Sequence, residues 1–303
     1  MQRRGLGDRL SALQVSALQS NTFFGNDVDP KMVRLATMNL TLRGLPDVRI
    51  LLRNGLTTTL DNERKTELGL PLDGYHVILA NPPFSGRVDK DRIVEDVKVG
   101  TTTATELLFL KYMMDSLRPG GRCGVILPEG VLFGSTGAHK ELRRMLVENN
   151  RVEAVLSLPG GVFQPYSGVK TSVLFFRKGG STERVLFLHA DNDGYKLDAN
   201  HDQSIEADDF PALKMAYANR EALTAQWDAR DQTAEWTEKW WMANALTLRG
   251  NDFNLSASRY RPMSTTQVEH RDPRELLDEL AAIEAEIAME VEALKIALAE
   301  QSA

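Results

Sequence analysis

The sequence predicts an α/β protein built on a doubly wound, Rossmann-like sheet, with a helical extension at its C-terminal end. Three observations carry this. Short apolar runs alternate with amphipathic helical stretches between residues 22 and 177, the rhythm of strands joined by crossover helices. Three of the runs end in a polar side chain, at Asp27, Asn54 and Asn81, each 27 residues from the next. The third run, Val77-Ile78-Leu79-Ala80, passes straight into Asn81-Pro82-Pro83-Phe84. A continuous apolar run of this length suits a parallel strand covered on both faces.

The elements follow in order. Residues 22–28 read as a strand closing in a polar, glycine-containing corner. Asp29 then caps a helix with Pro30 in its first turn, and the helix runs to about Leu42, with Val33, Ala36 and Leu40 on its apolar side and Gly44 as a stop. Residues 48–52 form a second strand, and 57–74 read as a polar loop. Beyond Phe84 a polar, mobile-looking stretch extends to about Thr103. A helix over 105–117 carries Leu108, Tyr112 and Leu117 at helical spacing, and Arg118-Pro119-Gly120-Gly121 ends it. Strands are expected at 122–127, 152–158 and 172–177, with a helix over 138–148. Pro128-Glu129-Gly130 falls at a strand's carboxyl end.

Residues 1–190 are thus expected to form one α/β domain. Residues 191–270, polar with Trp227, Trp236, Trp240 and Trp241 interspersed, read as a smaller helical or irregular extension. Residues 271–303 read as one long helix whose Leu276, Leu280, Ile283, Ile287, Val291, Leu294 and Leu298 make a coiled-coil-like seam. That last segment holds nine acidic and three basic residues and accounts for the net charge of −6, so the body is neutral. A neutral body lacks the basic excess with which autonomous DNA binders neutralise phosphates. No apolar run is long enough to span a bilayer. The single cysteine, Cys123, lies in an apolar strand pattern and suits a packed core residue in a reducing cytoplasm. The five histidines are scattered without metal-ligand spacing, and neither a P-loop nor a Gly-x-Ser-x-Gly elbow is present.

Open α/β sheets bind ligands at the carboxyl ends of their strands, so Asp27, Asn54 and Asn81 would line one edge of one sheet. Asp27 stands where cofactor domains place an acid for ribose hydroxyls, although Asp27 or Asp29 can equally serve as a helix cap. Asn54 could reach an adenine ring of such a cofactor. Two readings of Asn81-Pro82-Pro83-Phe84 stand side by side. In one, the prolines fix a stiff turn that presents oxygen acceptors and an aromatic ring to an exocyclic amino group. In the other, a proline turn closes a strand beside a half-buried Phe.

The chain resembles the methylation (modification) subunit of type I restriction-modification systems. Phe24-Gly25-Asn26-Asp27-Val28-Asp29-Pro30, followed by Arg34-Leu35-Ala36-Thr37-Met38-Asn39-Leu40, is similar to the family's ribose-binding acidic motif and its helix. Asn81-Pro82-Pro83-Phe84 matches its catalytic motif. Leu127-Pro128-Glu129-Gly130, Leu158-Pro159-Gly160-Gly161-Val162-Phe163 and Gly168-Val169-Lys170-Thr171-Ser172-Val173-Leu174-Phe175-Phe176 resemble its later blocks. Asn254-Leu255-Ser256-Ala257-Ser258-Arg259-Tyr260 resembles the block preceding its C-terminal helix. Glutamine methyltransferases share only the Asn-Pro-Pro-aromatic part.

The resemblance implies an S-adenosylmethionine-dependent adenine-N6 DNA methyltransferase. It places Asn81, Pro82, Pro83 and Phe84 at the reacting base, which is flipped from the duplex. It places Gly25, Asp27, Asn54 and Asn81 at the cofactor. The partners implied are DNA, a specificity subunit, a restriction subunit and a second copy of the chain. Two features depart from the family. Its glycine-rich cofactor loop is not found upstream of Asp27, where Gly5-Leu6-Gly7 lacks a preceding strand, so the chain is expected to correspond to the C-terminal part of the subunit or to an interrupted gene. Asn54 stands where wider methyltransferases commonly have Asp. The missing loop also supports an alternative, a non-catalytic remnant acting only as an interaction protein.

Overall fold

The computed structural model describes residues 10–229 and 239–262, together with Ile283, Glu284, Ile287, Met289 and Val291. Contacts divide the chain at Arg261 into two units. In the first, a capping box at Ser11 opens α1 (Ala12–Ser20), which leads to β1 (Phe24–Asp27). Asp29 caps α2 (Pro30–Thr41), its carboxylate accepting the Lys31 backbone N–H at 2.8 Å. The proline in that helix's first turn needs no hydrogen bond for its missing donor. β2 (Arg49–Leu52) runs parallel to β1. The region expected as a loop contains a short helix, α3 (Asn62–Glu67), because Asp61 accepts from the Arg64 N–H at 2.7 Å and Arg64 pairs with Glu67.

The chain then forms β3 (Tyr75–Ala80), α4 (Thr105–Ser116), β4 (Leu117–Pro128), α5 (Glu129–Phe133) and α6 (Gly137–Asn149). β5 (Asn150–Ser157), β6 (Thr171–Lys178) and β7 (Arg184–His189) follow. A hairpin, β8 (Asp193–Tyr195) and β9 (Ser204–Asp208), precedes α7 (Phe210–Ala218) and α8 (Arg220–Ala229). β10 (Trp240–Asn244) and α9 (Ala245–Gly250) follow, and a 3₁₀ turn at Ala257–Tyr260 comes after them. Six strands form one mixed sheet in the order β10-β7-β5-β6-β4-β3. β3 is parallel to β4, and β5 to β7, while β6 and β10 run antiparallel to their neighbours.

Alternation along the central strands covers both faces of this sheet. Val155 and Phe187 point into a core shared with Leu107 and Leu110 of α4 and Leu142 and Leu146 of α6. Ala154, Leu156, Leu186 and Leu188 point the other way, onto Leu213 of α7. Two outcomes differ from the sequence reading. The stretch between Phe84 and α4 is not merely a polar loop: it makes 3₁₀ turns at Lys90–Arg92 and Glu95–Val97 and buries Ile93 and Val97 against Leu56 and Leu108. Apolar residues scattered among charges defeat periodicity but still find a small core. The stretch 191–250 also contributes β10, whose pairing with β7 brings Trp241 to full burial with its Nε1 donating to the Ala257 carbonyl at 3.2 Å.

A buried cation holds the helical layer together. Arg143 of α6 is 2% exposed, and its guanidinium donates to the carbonyls of Gly134 at 2.8 Å, Phe253 at 3.1 Å, Asp252 at 3.2 Å and Val131 at 3.3 Å. It thereby ties α5 to a turn in which Asp252 and Phe253 both hold positive φ. Cys123 is buried and free, as its strand pattern predicts, and burial pushes its thiol pKa up to about 12. The seam expected over 271–303 lies outside the described residues except at Ile283, Glu284, Ile287, Met289 and Val291, which are helical.

Two outcomes are expected from this packing. Arg143→Leu leaves several buried carbonyls without a donor and should lower the unfolding free energy by about 3 kcal/mol or more, read by urea titration. Cys123 should resist alkylation at pH 8 until the chain unfolds. Its raised folded pKa means that the unfolded thiol ionises first. The stabilisation is therefore complete below about pH 8.5 and declines as pH rises toward the folded value.

Candidate functional site

The carboxyl ends of β1, β2 and β3 open into one cleft of about 560 Å³. Gly25 and Asp27 from β1, Asn54 from the turn after β2, and Asn81, Pro82 and Pro83 from the turn after β3 all line it. The structure therefore brings together six of the seven residues singled out from the sequence. The seventh, Phe84, lies just beyond that lining. Its half-buried ring meets Phe163 edge-on at 5.7 Å between centroids.

Each polar residue is set by its local backbone. Asp27 closes β1 with one carboxylate oxygen accepting the Asp29 N–H at 2.8 Å, and its carbonyl accepts from the Arg53 N–H at 2.8 Å. The acid is thus a turn former as well as a cleft residue, and Asp29, not Asp27, is the helix cap. Asn54 likewise accepts the Leu56 N–H at 2.9 Å, and Leu56 is anchored in the small core beneath. Gly25 faces Ile50 across the β1–β2 pair, where a Cβ would come within 3.0 Å of the Ile50 Cδ1. Asn81 is exposed to the cleft and Pro82 is buried beneath it. Among the described residues no group hydrogen-bonds the Asn81 side chain, so its amide is available to a ligand.

The loop after Phe84 is pinned rather than free. Ser85 holds a φ of +61°, and the Gly86 carbonyl accepts from the Thr105 N–H at 3.0 Å, at the start of α4. Gly86 sits so close to α4 that a Cβ would lie 2.6 Å from the Thr105 Oγ1. Arg87 bridges Ala104, and the Val88 N–H reaches the Thr103 carbonyl at 3.0 Å.

Sequence reasoning assigned no role to several residues here. Phe24 and Tyr75, 5.7 Å apart between ring centroids, form an aromatic wall of the cleft. Burial beside it pushes the Tyr75 hydroxyl up, so the ring presents a neutral phenol. Arg53 lies against Tyr112, donating to its hydroxyl at 3.2 Å. Glu129, at the end of β4, accepts from the hydroxyls of Ser157 at 2.8 Å and Ser172 at 3.3 Å, which ties together the ends of three strands. Glu129 and Phe163 belong to motifs visible in the sequence, but only pairing across the sheet reveals their contacts. Among the described residues no group of His, Cys, Asp or Glu could hold a metal ion.

Comparison with known proteins identifies the family. The family model described as N-6 DNA Methylase matches residues 10–270. The EcoEI methylase subunit of a type I restriction enzyme from Escherichia coli is 31% identical over 255 residues, which cover 84% of this chain and 48% of that subunit. The EcoKI methylase subunit of Escherichia coli K12 is 34% identical over 157 residues, covering 52% of this chain and 28% of the relative. The chain thus spans about half or less of these curated relatives. Among solved structures, a chain from work on assembly and conformational transition of a type I R-M system superimposes with a TM-score of 0.67 at 29% identity, covering 94% of this chain and 56% of that one. The EcoKI M protein shares the fold, with a TM-score of 0.62 at 22% identity over 95% of this chain and 63% of that one. With the cleft, the Asn-Pro-Pro-Phe turn and a family match over most of its length, the chain belongs to the N-6 DNA methylase family.

Proposed function

We propose that this chain forms the methyl-transfer site of an adenine-N6 DNA methyltransferase, working as part of a type I modification subunit. The observation that carries this is the joint opening of Asp27, Asn54 and Asn81 into one cleft, with the Asn81 amide facing it unpaired. The cleft suits S-adenosylmethionine in its donor set: an acid for ribose hydroxyls, an amide for an adenine edge, and apolar aromatic walls at Phe24 and Tyr75. When bound, that cofactor supplies an electrophilic methyl group on a sulfonium.

The residues at the turn address a specific chemical difficulty. The exocyclic nitrogen of adenine is a poor nucleophile because its lone pair is delocalised into the ring. The Asn81 side-chain oxygen and the Pro82 carbonyl would accept its two N–H bonds and favour a pyramidal nitrogen with its lone pair directed out of the ring plane. Pro82 and Pro83 hold these acceptors stiffly, which spares reorganisation as charge develops. Phe84 would stack on the base after extrusion from the duplex, a displacement costing a few kcal/mol. Its own position depends on Phe163 and on the clamp at Gly86. The specificity and restriction subunits named from the sequence are the partners this reading carries, and the acidic segment 271–303 is the part we assign to contacting the specificity subunit or a second copy of this chain.

Asn81→Ala in the assembled enzyme should abolish methyl transfer to DNA while leaving cofactor affinity largely intact in a calorimetric titration. Asp27→Ala should instead weaken cofactor binding about tenfold or more, the loss of one charge-assisted hydrogen bond. Equal effects of the two on binding would sink the division of roles. Gly86→Ala should push the Phe84 loop away from α4, costing about 1–3 kcal/mol of stability. Its methylation rate should fall by about a hundredfold with cofactor affinity preserved, since a displacement near 1 Å is enough.

A further inference from the structure

The loop that joins β5 to β6 is held at its root and open at its tip. The Leu158 N–H donates to the Thr171 carbonyl at 3.0 Å where the two strands meet. The Lys170 carbonyl accepts from the Glu129 N–H, also at 3.0 Å, which ties the loop to the end of β4. Its inner limb is packed: Val162 and Phe163 lie against the core that contains Leu158, Leu188 and Leu213, and Phe163 meets Phe84. Two turns then reverse the chain. The Gln164 N–H donates to the Gly161 carbonyl and the Ser167 N–H to the Phe163 carbonyl, both at 2.9 Å. Tyr166 sits within the second turn, three residues beyond Phe163.

Tyr166 is the most exposed large apolar side chain among the described residues, at 94%, and no group among them hydrogen-bonds its hydroxyl. A lone exposed aromatic on an arbitrary surface needs no explanation. This one stands on the loop that supports the Phe84 ring, and the loop is shaped around it. Its shoulders are bare: neither Gly160 nor Gly168 has a left-handed φ, and a Cβ on either would meet nothing within 4 Å. Packing and backbone geometry do not require glycine at those two places, so what the glycines supply is room. Pro165 stiffens the backbone immediately before the tyrosine. Charge follows the same pattern. Residues 158–172 contain no acid, and their one cation, Lys170, is exposed, with its Nζ 3.7 Å from the nearest Glu129 oxygen.

We infer that Tyr166 is a positioning residue whose ring enters the DNA duplex and fills the gap left by the extruded adenine. The inference rests on the proposed function, since it presupposes a base held at Asn81 and Phe84. Extrusion leaves the neighbouring bases without a stacking partner, and the lost stacking draws the adenine back. A flat ring inserted there stacks on those neighbours and opposes the return. It needs no sequence readout, because every base has a π-face. One rigid loop thus serves both ends of the displacement. Phe163 steadies the ring under the extruded base, while Tyr166, one turn further on, reaches out toward the stack the base has left. Lys170 meets a flanking phosphate, and the bare shoulders at Gly160 and Gly168 admit the sugar–phosphate backbone.

The assembled enzyme tests this with two readouts. One is the fluorescence rise of 2-aminopurine placed at the target position of a duplex, which reports unstacking. The other is methylation of adenine in two duplexes, the target facing thymine in one and an abasic site in the other. Tyr166→Ala should blunt the fluorescence rise severalfold and slow methylation of the paired duplex at least tenfold, with cofactor affinity preserved. Tyr166→Phe keeps the ring and should retain both to within about threefold. Opposite the abasic site extrusion is cheap, so Tyr166→Ala should recover to within about threefold of wild type, which no folding defect would allow. Wild-type behaviour of Tyr166→Ala on the paired duplex overturns the inference. So does an equal loss on both duplexes, which would mean that Tyr166 only supports the loop. A Tyr166→Phe enzyme as poor as Tyr166→Ala would mean that the hydroxyl acts rather than the ring. Loss of the specificity subunit from Tyr166→Ala in gel filtration would mark a protein contact instead. Unstacking that depends on Tyr166, without methyl transfer by the wild type, keeps the wedge and removes the methyl-transfer reading. Methylation at equal rates by wild type and Tyr166→Ala does the reverse, and a wild type that neither unstacks nor methylates removes both.

Discussion

The parallel pairing of β3 with β4 is the constraint on which the rest of the site depends. Its register, Val77 with Arg122 through Ala80 with Val125, places Asn81 at the sheet's carboxyl edge and Glu129 just past the end of the neighbouring strand. β4 is fixed in turn, with Val125 and Leu127 fully buried beneath α4 and α6 and β6 bonded along its other side. A strand held this way cannot shift by one residue without turning its apolar side chains to the wrong face. The position of the Asn-Pro-Pro-Phe turn is thus inherited from the core, and the prolines only preserve it.

Around that fixed point the molecule has two mechanical characters. From β4 to β10 the central strands are covered on both faces, and two polar side chains are held by specific partners, Arg143 by four carbonyls and Glu129 by two serines. From α1 to α3 the helices are capped, but these elements contain no buried residue. Local chemistry forms those helices; tertiary burial does not yet reinforce them. The Asp27 turn belongs to this lightly packed part, the Asn54 turn joins it to the small core at Leu56, and Asn81 belongs to the densely packed part. In the proposed division of labour, cofactor contacts come from the first and base contacts from the second.

Helical starts and stops were readable where side chains cap the backbone. Asp29-Pro30 and Gly44 bracket α2 as expected, and the apolar runs located β1 to β6, although β4 begins at Leu117, before the Arg118-Pro119-Gly120-Gly121 stretch expected only to end α4. The short helix after Asp61 and the strands β7 and β10 escaped notice. The first is defined by a cap rather than a period. The second lies beside the change in texture, and the third is legible only through its partner. Val77 and Leu79 are the instructive exception: their composition suits a strand covered on both faces, yet both are exposed.

The sequence by itself determined the α/β rhythm, the three polar strand ends 27 residues apart and the stiff Asn-Pro-Pro-Phe turn, because caps, prolines and two-faced apolar runs act over a few neighbouring residues. Only the tertiary structure decided that those strand ends share one cleft, that Phe163 meets Phe84, that Gly86 is clamped to α4, and that the sheet divides between β1 and β3. Those relations join residues far apart in the chain. They depend on strand order and packing, which local propensity does not encode.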